Sequence, residues 1–301
     1  MAKLGSLFAR ILKIVLLIAI MGIAVSLFAV WKIGAWNLVF PDHSHDTVAP
    51  AIPADLATPA VLVFSKTNAF RHVEGIEGGG KALQAITNEH RWGVFHTENG
   101  AVFNEQDLAR FDAVVFLNAS GDMLSAEQQR VFQNWVLAGG GWLGIHAAGD
   151  SSHLAWKWYR DNLIGATFTA HIMGPQFQTA AVVFENHQHP ILRGLSKPWQ
   201  HEEEWYSWEQ SPRTEGFTIL ATLDENSYVP VANFLGTQTD LRMGDHPVVW
   251  TNCIDEGRSV YAAMGHKAEA FDEPEFRLLL DNALVWLIET SGEACKPLQV
   301  D

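Results

Sequence analysis

Cysteine is scarce in this chain, which has only two in 301 residues, Cys253 and Cys295. Neither lies in a motif that indicates a catalytic nucleophile. The two thiols could pair in an oxidising compartment, but Cys253 falls within the predicted fold and Cys295 within a C-terminal tail. We therefore expect two unpaired thiols.

Acidic residues are absent from the first 32 positions, whereas four of the 20 basic residues lie there. The rest of the chain carries 16 basic and 34 acidic residues, a net charge of −18. A domain with that charge repels nucleic acid and anionic membrane surfaces. No nucleic-acid partner is expected.

Charge is also missing from residues 14–31, an apolar run preceded by Lys13 and followed by Lys32. The run is long enough to cross a bilayer. A cleaved signal peptide has a shorter apolar core and a small-residue cleavage site, so we predict an uncleaved transmembrane anchor at 14–34. The basic residues on its N-terminal side place residues 1–13 in the cytoplasm and the domain outside, in the periplasm. The prediction is a single-pass protein of the inner (cytoplasmic) membrane, although a cleaved signal would export the domain equally.

Residues 35–59 are rich in proline, alanine and aspartate, which predicts a linker that holds the domain off the membrane. One domain at 60–290 follows, then a tail at 291–301. In its first half, predicted strands at 60–65, 93–96, 113–118 and 141–146 alternate with helices, one of them at 76–90. This alternation indicates an α/β fold with a doubly wound, mainly parallel sheet of flavodoxin-like type. The second half is richer in strands, predicted at 179–184, 217–223, 247–251 and 259–264, before a last helix at 274–288.

The segment from Gly139 to Gly149 places His146 where a buried strand ends and the chain turns sharply. Ser125 and Gln128 form a predicted capping box for the preceding helix, which ends at Gly139. In open α/β sheets, ligands bind beyond the carboxyl ends of the strands. His146 is therefore a candidate catalytic residue, the alternative being a buried histidine among glycines that only serve packing.

His72 and His266 also follow predicted strands, so the three histidines could converge on one rim of the sheet. Glu204 joins them as a candidate because the aromatic residues after it would carry the segment inward. Asp150 could orient His146 or bind substrate. Asp122 could touch a ligand, although capping of a turn is the alternative. Twelve tryptophans are many for this length, and some could stack on sugar rings instead of packing in the core.

Ordered along the chain, these segments resemble the ThuA-like (trehalose utilisation) family over residues 60–290. The resemblance rests on the following motifs: Phe70-Arg71-His72, Phe116-Leu117-Asn118, Gly121-Asp122, the 139–148 run, Trp158-Tyr159, Gly165-Ala166-Thr167-Phe168 with His171, His189-Pro190, Glu203-Glu204-Trp205-Tyr206, residues 220–225, residues 246–250, Gly257-Arg258 and Gly265-His266.

The resemblance implies a class I glutamine amidotransferase-like fold, in which the turn after the central strand normally carries a catalytic cysteine. His146 stands there instead, so glutamine hydrolysis through a thioester is excluded. The family pattern has Asp-Glu where this chain has Glu203-Glu204, and the additional methylene leaves the role of Glu203 open.

The family is associated with disaccharide use through 3-keto sugars, which implies an enzyme acting on a sugar or keto-glycoside by histidine and carboxylate acid–base chemistry. The predicted catalytic residues are His72, His146, Glu204 and His266. The predicted substrate-binding residues are Asp122, Asp150, Trp158, His171 and Tyr206.

Two alternatives stay open. One is a metal-dependent hydrolase or lyase with a divalent ion at the same site, although the sequence has no short His-x-x-x-His pair. Its candidate ligands are His72, His146, His171, Glu204 and His266. The other alternative is a carbohydrate- or partner-binding module without turnover.

Overall fold

The computed structural model describes residues 2–289, with side chains from residue 10 onward. Helix α1, Ala2–Lys32, contains a stretch at Arg10–Lys32 that is long and apolar enough to cross a membrane, and none of it is buried in the protein. This helix includes most of the predicted anchor. A short helix, α2 at Trp36–Val39, follows. The predicted tail at 291–301 and Cys295 lie outside the described residues.

The first half of the domain alternates strands and helices, as predicted. Its elements are β1 Ala60–Phe64, α3 Val73–His90, β2 Gly93–Thr97, α4 Glu105–Leu108, β3 Ala113–Leu117, α5 Ala126–Leu137 and β4 Gly141–Ile145. The predicted capping box is present, because the Ser125 hydroxyl accepts from the Gln128 N–H while the Gln128 side chain accepts from the Ser125 N–H. β1, β3 and β4 are buried along their whole length, as apolar strands in a parallel sheet must be.

Within the described residues, the second half contains nine strands, one short helix and one long helix. They are α6 Lys157–Tyr159, β5 Phe168–His171, β6 Gln178–Phe184, β7 Trp199–Glu203, β8 Tyr206–Trp208, β9 Thr218–Asp224, β10 Val231–Phe234, β11 Thr237–Asp240, β12 Pro247–Ile254, β13 Gly257–Ala262 and α7 Pro274–Glu289. Five of these strands, β5, β7, β8, β10 and β11, were not predicted from the sequence.

Nine strands form one sheet in the order β2-β1-β3-β4-β13-β12-β9-β6-β7. The first five are mutually parallel and have the flavodoxin-like order, whereas the pairings from β13 to β7 are antiparallel. Because the antiparallel pairings alternate, β9 and β7 run in the same direction as the parallel strands. Their carboxyl ends therefore lie on the same rim of the sheet as those of β1, β4 and β13.

Helices cover both faces of the parallel half. Phe116 of β3 packs on Phe132 of α5, whereas its neighbour Leu117 lies against Gly79 of α3. Since successive strand residues point to opposite faces, α5 and α3 lie on opposite sides. The sheet is doubly wound, and its rim is the place where the loops after the strands meet.

Cys253 on β12 is in a disulfide, so the prediction of two unpaired thiols was wrong for this residue.

The predicted linker lies along the domain. The Asp46 carboxylate accepts from the Lys66 ammonium and from the Gly100 N–H, and the Gln128 amide donates to the Asp46 carbonyl. Apolar burial could not predict this docking, because it depends on hydrogen bonds between distant residues.

Candidate active site

His146 begins the sharp turn after β4, with a positive φ of 51° and no exposed surface. This backbone conformation is uncommon for a residue with a side chain and marks a turn that the surrounding structure holds in place. The imidazole Nδ1 lies 2.8 Å from the Ala263 carbonyl oxygen, which can only accept, so Nδ1 carries a proton. The Tyr261 hydroxyl donates to the His146 carbonyl at 2.6 Å. Nε2 is thereby turned towards the other groups of the rim.

Three histidine rings meet at this rim, as the sequence predicts. His72 ends the loop after β1, and its ring centroid lies 4.7 Å from that of His146 and 4.5 Å from that of His266. The centroids of His146 and His266 are 5.2 Å apart. The Nδ1 atom of His72 is buried and has no hydrogen-bond partner among the described residues. Such an orphaned nitrogen is rare in a protein interior and indicates a functional role.

The Glu204 carboxylate joins the histidines. Oε2 lies 3.1 Å from Nδ1 of His266 and 3.6 Å from Nε2 of His146. Oε1 lies 3.2 Å from Nδ1 of His171 and accepts a hydrogen bond from the Gln176 amide. Because only 3% of this side chain is exposed, its charge is stabilised by these neighbouring side chains and hardly by solvent.

The Glu203 carboxylate holds the backbone of the site. It accepts from the N–H groups of Glu204 at 2.8 Å, Gly265 at 2.7 Å and His266 at 3.3 Å. His201 lies behind it, with Nε2 3.6 Å from Glu203 and Nδ1 3.0 Å from the Glu273 carboxylate. This chain of carboxylate, imidazole and carboxylate fixes the turn that carries His266. Glu203 is therefore a positioning residue.

His201 and Glu273 were not predicted from the sequence. Trp199, His201 and Glu203 occupy alternate positions of β7, and all three are buried. This alternation is the signal that the sequence offers, but it is weak because two of the three buried residues, a histidine and a glutamate, are polar. Glu202, between them, is exposed and pairs with Lys267 at 3.0 Å, consistent with a solvated residue.

The environment separates the pKa values of the two central histidines. Burial, followed by the charges of His146 and His266, holds the pKa of His72 well below its usual range. Burial also lowers the pKa of His146, but the interaction with Glu204 and the charge of Glu203 outweigh it and raise that pKa. The environment therefore favours the neutral form of His72 and the protonated form of His146.

Both glutamates are ionised. Burial alone would raise the pKa of Glu203, but His201, His146 and the Gly265 N–H lower it to about 2. Burial likewise opposes ionisation of Glu204, and His146 and His266 hold the pKa of that carboxyl far below its usual range. The centre therefore combines two carboxylates with two imidazoles whose pKa values are shifted in opposite directions.

Tyr206 and His171 lie at the same centre. The Tyr206 hydroxyl is 3.0 Å from Nε2 of His146, and burial raises the pKa of this phenol well above 10, so it stays protonated. His171 is partly exposed, as is His266 beside Phe177. Solvent reaches the centre on the side of these two histidines.

The structure does not bring three predicted substrate-binding residues into contact with the histidines. Asp150 caps the turn at Ser151–His153 by accepting from the Ser152 N–H and hydroxyl. Asp122 is exposed and pairs with His45 at 3.3 Å. Trp158 packs against the core beside Trp156. Local capping, a contact with the preceding segment and core packing account for these positions.

The geometry also fits a metal ion. His72, His146, Glu204 and His266 each offer a ligand atom, and the four atoms lie within 4.8 Å of one another. The Ala263 carbonyl orients His146 as such carbonyls orient metal-bound histidines. His171, the fifth candidate ligand, contacts Glu204 but is not one of these four.

Fold and site together define a class: a doubly wound α/β domain whose turn after β4 carries a buried histidine within a cluster of histidines and a carboxylate. The family model for ThuA, trehalose utilisation, matches residues 60–287. The chain belongs to the ThuA family.

One solved structure agrees with this assignment. A ThuA-like protein from Bacteroides uniformis is 26% identical, with a TM-score of 0.68 over 82% of this chain and 98% of that one. A cytoplasmic protein from Salmonella typhimurium is 11% identical, with a TM-score of 0.49 over 75% of this chain and 98% of that one, a likeness too low to support an argument. No protein with a curated description matches the sequence.

Proposed function

We propose that this protein is an enzyme that acts on a sugar or 3-keto-glycoside by proton transfer between substrate and the His72–His146 pair. The observation that carries the proposal is the pairing itself: two imidazoles in contact, one with an unpartnered nitrogen and one held against a buried carboxylate. Two adjacent groups whose environments separate their pKa values can act as a base and an acid at the same pH.

In the reaction that fits these roles, neutral His72 removes the proton on C2, which is acidic because it lies beside the C3 ketone. The electron pair of the broken C2–H bond forms a C1=C2 double bond, and the C1–O bond to the leaving group breaks. His146 donates its Nε2 proton to the leaving oxygen. Addition of water across the new double bond would turn this elimination into net hydrolysis.

The remaining side chains support this transfer. Glu204 stabilises the protonated form of His146, and Tyr206 donates to Nε2 of His146 once that proton has left. His266 and His171, on the solvent side, are placed to bind sugar hydroxyls. Glu203 keeps the turn before His266 in position.

The test offers 3-keto-trehalose and other 3-keto-disaccharides to the full chain and follows the conjugated enone by ultraviolet absorbance and the sugars by mass spectrometry. We expect His72→Gln and His146→Gln to lose about 100-fold or more in rate. His189→Gln is the matched control, because His189 is also buried but lies against Trp286 of α7. The rate should be flat around neutral pH, falling in acid as His72 gains a proton and in alkali as His146 loses one. Equal rates in all three variants would refute the proposal, and sugar binding without product in any protein would favour the binding module.

A metal-dependent hydrolase or lyase is the second candidate, favoured by the four converging ligand atoms and by the orphaned nitrogen of His72. A bound divalent ion would polarise the ketone and stabilise the enolate that forms. Elemental analysis of protein purified without chelators separates the two candidates. A stoichiometric transition metal that is lost in His72→Gln supports this candidate, and only substoichiometric traces would remove it.

We also propose that α1 is retained as an anchor and that the domain lies in the periplasm. The disulfide of Cys253 supports this location, since disulfides persist in oxidising compartments. Carbonate extraction should leave the protein in the membrane fraction, and added protease should degrade the domain in spheroplasts. Release by carbonate, or protection from protease in intact spheroplasts, would contradict the proposal.

A further inference from the structure

The end of the anchor helix is fixed to the loop that leads to His72. The Arg71 N–H donates to the Gly34 carbonyl at 2.9 Å, and the Asn37 side-chain amide donates to the Thr67 carbonyl at 2.6 Å. Gly34 has a φ of 82°, and a Cβ at this position would lie 2.0 Å from the Arg71 carbonyl oxygen. Only glycine permits this approach, so the docking is specific to the sequence.

If α1 spans the bilayer, as proposed above, this docking fixes the distance between the domain and the membrane surface. The 23-residue stretch Arg10–Lys32 is about 34 Å long at 1.5 Å per residue, close to the thickness of the hydrocarbon core. Trp31 and Lys32, at its end, are residue types that favour the interface. Leu38, Val39 and Phe40 are about half exposed and extend the apolar surface beyond the helix. The docked loop therefore lies at the membrane surface.

A cavity of about 560 Å³ lies between the end of the anchor helix and the domain, beside the docked loop. We call it the junction cavity. Its volume is within the range of small-molecule sites. One wall includes Trp31, Trp36 and Asn37 of the anchor segment, and the other includes Asn68, Arg71 and Glu98 of the domain. Indole faces, amides and charged pairs are the groups that stack on sugar rings and bind their hydroxyls.

The charges favour a neutral ligand. Three basic and three acidic side chains line the cavity, and the two basic residues of the domain are already paired: Lys66 with Asp46 at 2.6 Å and Arg71 with Glu98 through two hydrogen bonds. A phosphate would have to compete with these carboxylates, whereas a sugar can hydrogen-bond to both members of each pair.

We propose that the junction cavity binds the neutral sugar headgroup of a membrane lipid, whose acyl chains lie in the bilayer beside α1. Arg71, which lines the cavity, directly precedes His72 in the sequence. The protein would thus hold the sugar of the lipid against the loop that leads to His72. The proposal rests on the proposed anchoring, but it requires no turnover.

The test uses the full chain in nanodiscs of phosphatidylcholine that contain equal amounts of monoglucosyldiacylglycerol and phosphatidylglycerol. Native mass spectrometry of the released protein counts each retained lipid. We expect one glucolipid per protein, retained about tenfold over phosphatidylglycerol.

Two variants have matched controls. Trp36→Leu removes a ring that lines the cavity, whereas Phe234→Leu removes an exposed ring of β10 that does not line it. Gly34→Ala breaks the docking, whereas Gly22→Ala adds the same methyl group where no atom lies within 4 Å. The preference should fall to about onefold in the first member of each pair and persist in the second. Equal retention of both lipids by the unmodified protein, a preference for phosphatidylglycerol, or a preference that survives both Trp36→Leu and Gly34→Ala would overturn the proposal. Because lipids are counted without turnover, failure here is distinguishable from failure of the proposed reaction.

Discussion

Replacement of His201 by glutamine should destabilise the protein in a strongly pH-dependent way. Burial lowers the pKa of His201, but Glu203 and Glu273 outweigh it and raise the pKa from 6.5 to about 9. Since one pKa unit corresponds to 1.36 kcal/mol, this shift is worth about 3 kcal/mol of folding free energy. The lowered pKa of Glu203 reports the same interaction and is not added to this value.

The direction in which stability changes with pH follows from the raised pKa of His201. The stabilisation by His201 is fully present below about pH 6.5, declines as the pH rises, and is gone above the folded-state value of about 9. The His201→Gln variant, in which Glu203 is buried without its counter-charge, should therefore lose about 3 kcal/mol near pH 6 and little near pH 10.

Urea unfolding of the full chain in detergent micelles, followed by tryptophan fluorescence, measures this difference. A loss of 3 kcal/mol should move the midpoint down by about 1 M urea. His189→Gln is the control, because burial lowers the pKa of His189 to about 4, so its linkage has the opposite sign and any deficit of this variant should not grow from pH 10 to pH 6. An equal deficit of His201→Gln near pH 6 and near pH 10 would refute the reasoning.

Two further predictions concern the turn after β13 and the partly buried carboxylate of Glu225. Gly265→Ala should cost at least about 2 kcal/mol more in the free energy of unfolding by urea than Gly139→Ala does. Both glycines have φ near 110°, but a Cβ at Gly265 would lie 2.8 Å from Ile145, whereas a Cβ at Gly139 would have no atom closer than 3.9 Å. Similar losses in the two variants would show that crowding is unimportant. Burial raises the pKa of Glu225, but the Met243 N–H and His246 lower it on balance, so its contribution is present above pH 4.5 and disappears in acid. Glu225→Gln should cost about 1–3 kcal/mol at neutral pH and nothing near pH 2, and a deficit that persists in acid would contradict this.

The parallel half of the fold was predictable because its strands are uniformly apolar and its helices carry local end signals. A buried run such as that of β3 has no plausible alternative, and the capping box at Ser125 marks a helix start by itself. The convergence of His72, His146 and His266 followed from the same topology, since the carboxyl ends of parallel strands share a rim.

The antiparallel half was less predictable for a physical reason. β7 alternates between exposed and buried positions, and its buried positions include His201 and Glu203, whose burial depends on partners far away in the sequence. Asp150 was predicted at the site but does not lie there, because its short side chain caps the adjacent turn instead of reaching the histidines. Long-range electrostatic pairing and local capping are both invisible to hydrophobic periodicity.

β4 and β13 are adjacent in the sheet, although residues 146–256 separate them in the chain. This arrangement has a kinetic consequence. Closing so long a segment is slow, and during synthesis His72 and His146 emerge well before Glu204 and His266 do. Until β13 docks, His146 lacks the Ala263 carbonyl that orients it, and both early histidines lack His266 beside them. The histidine centre should therefore be among the last features to form as the chain folds, and its assembly should report that folding is complete.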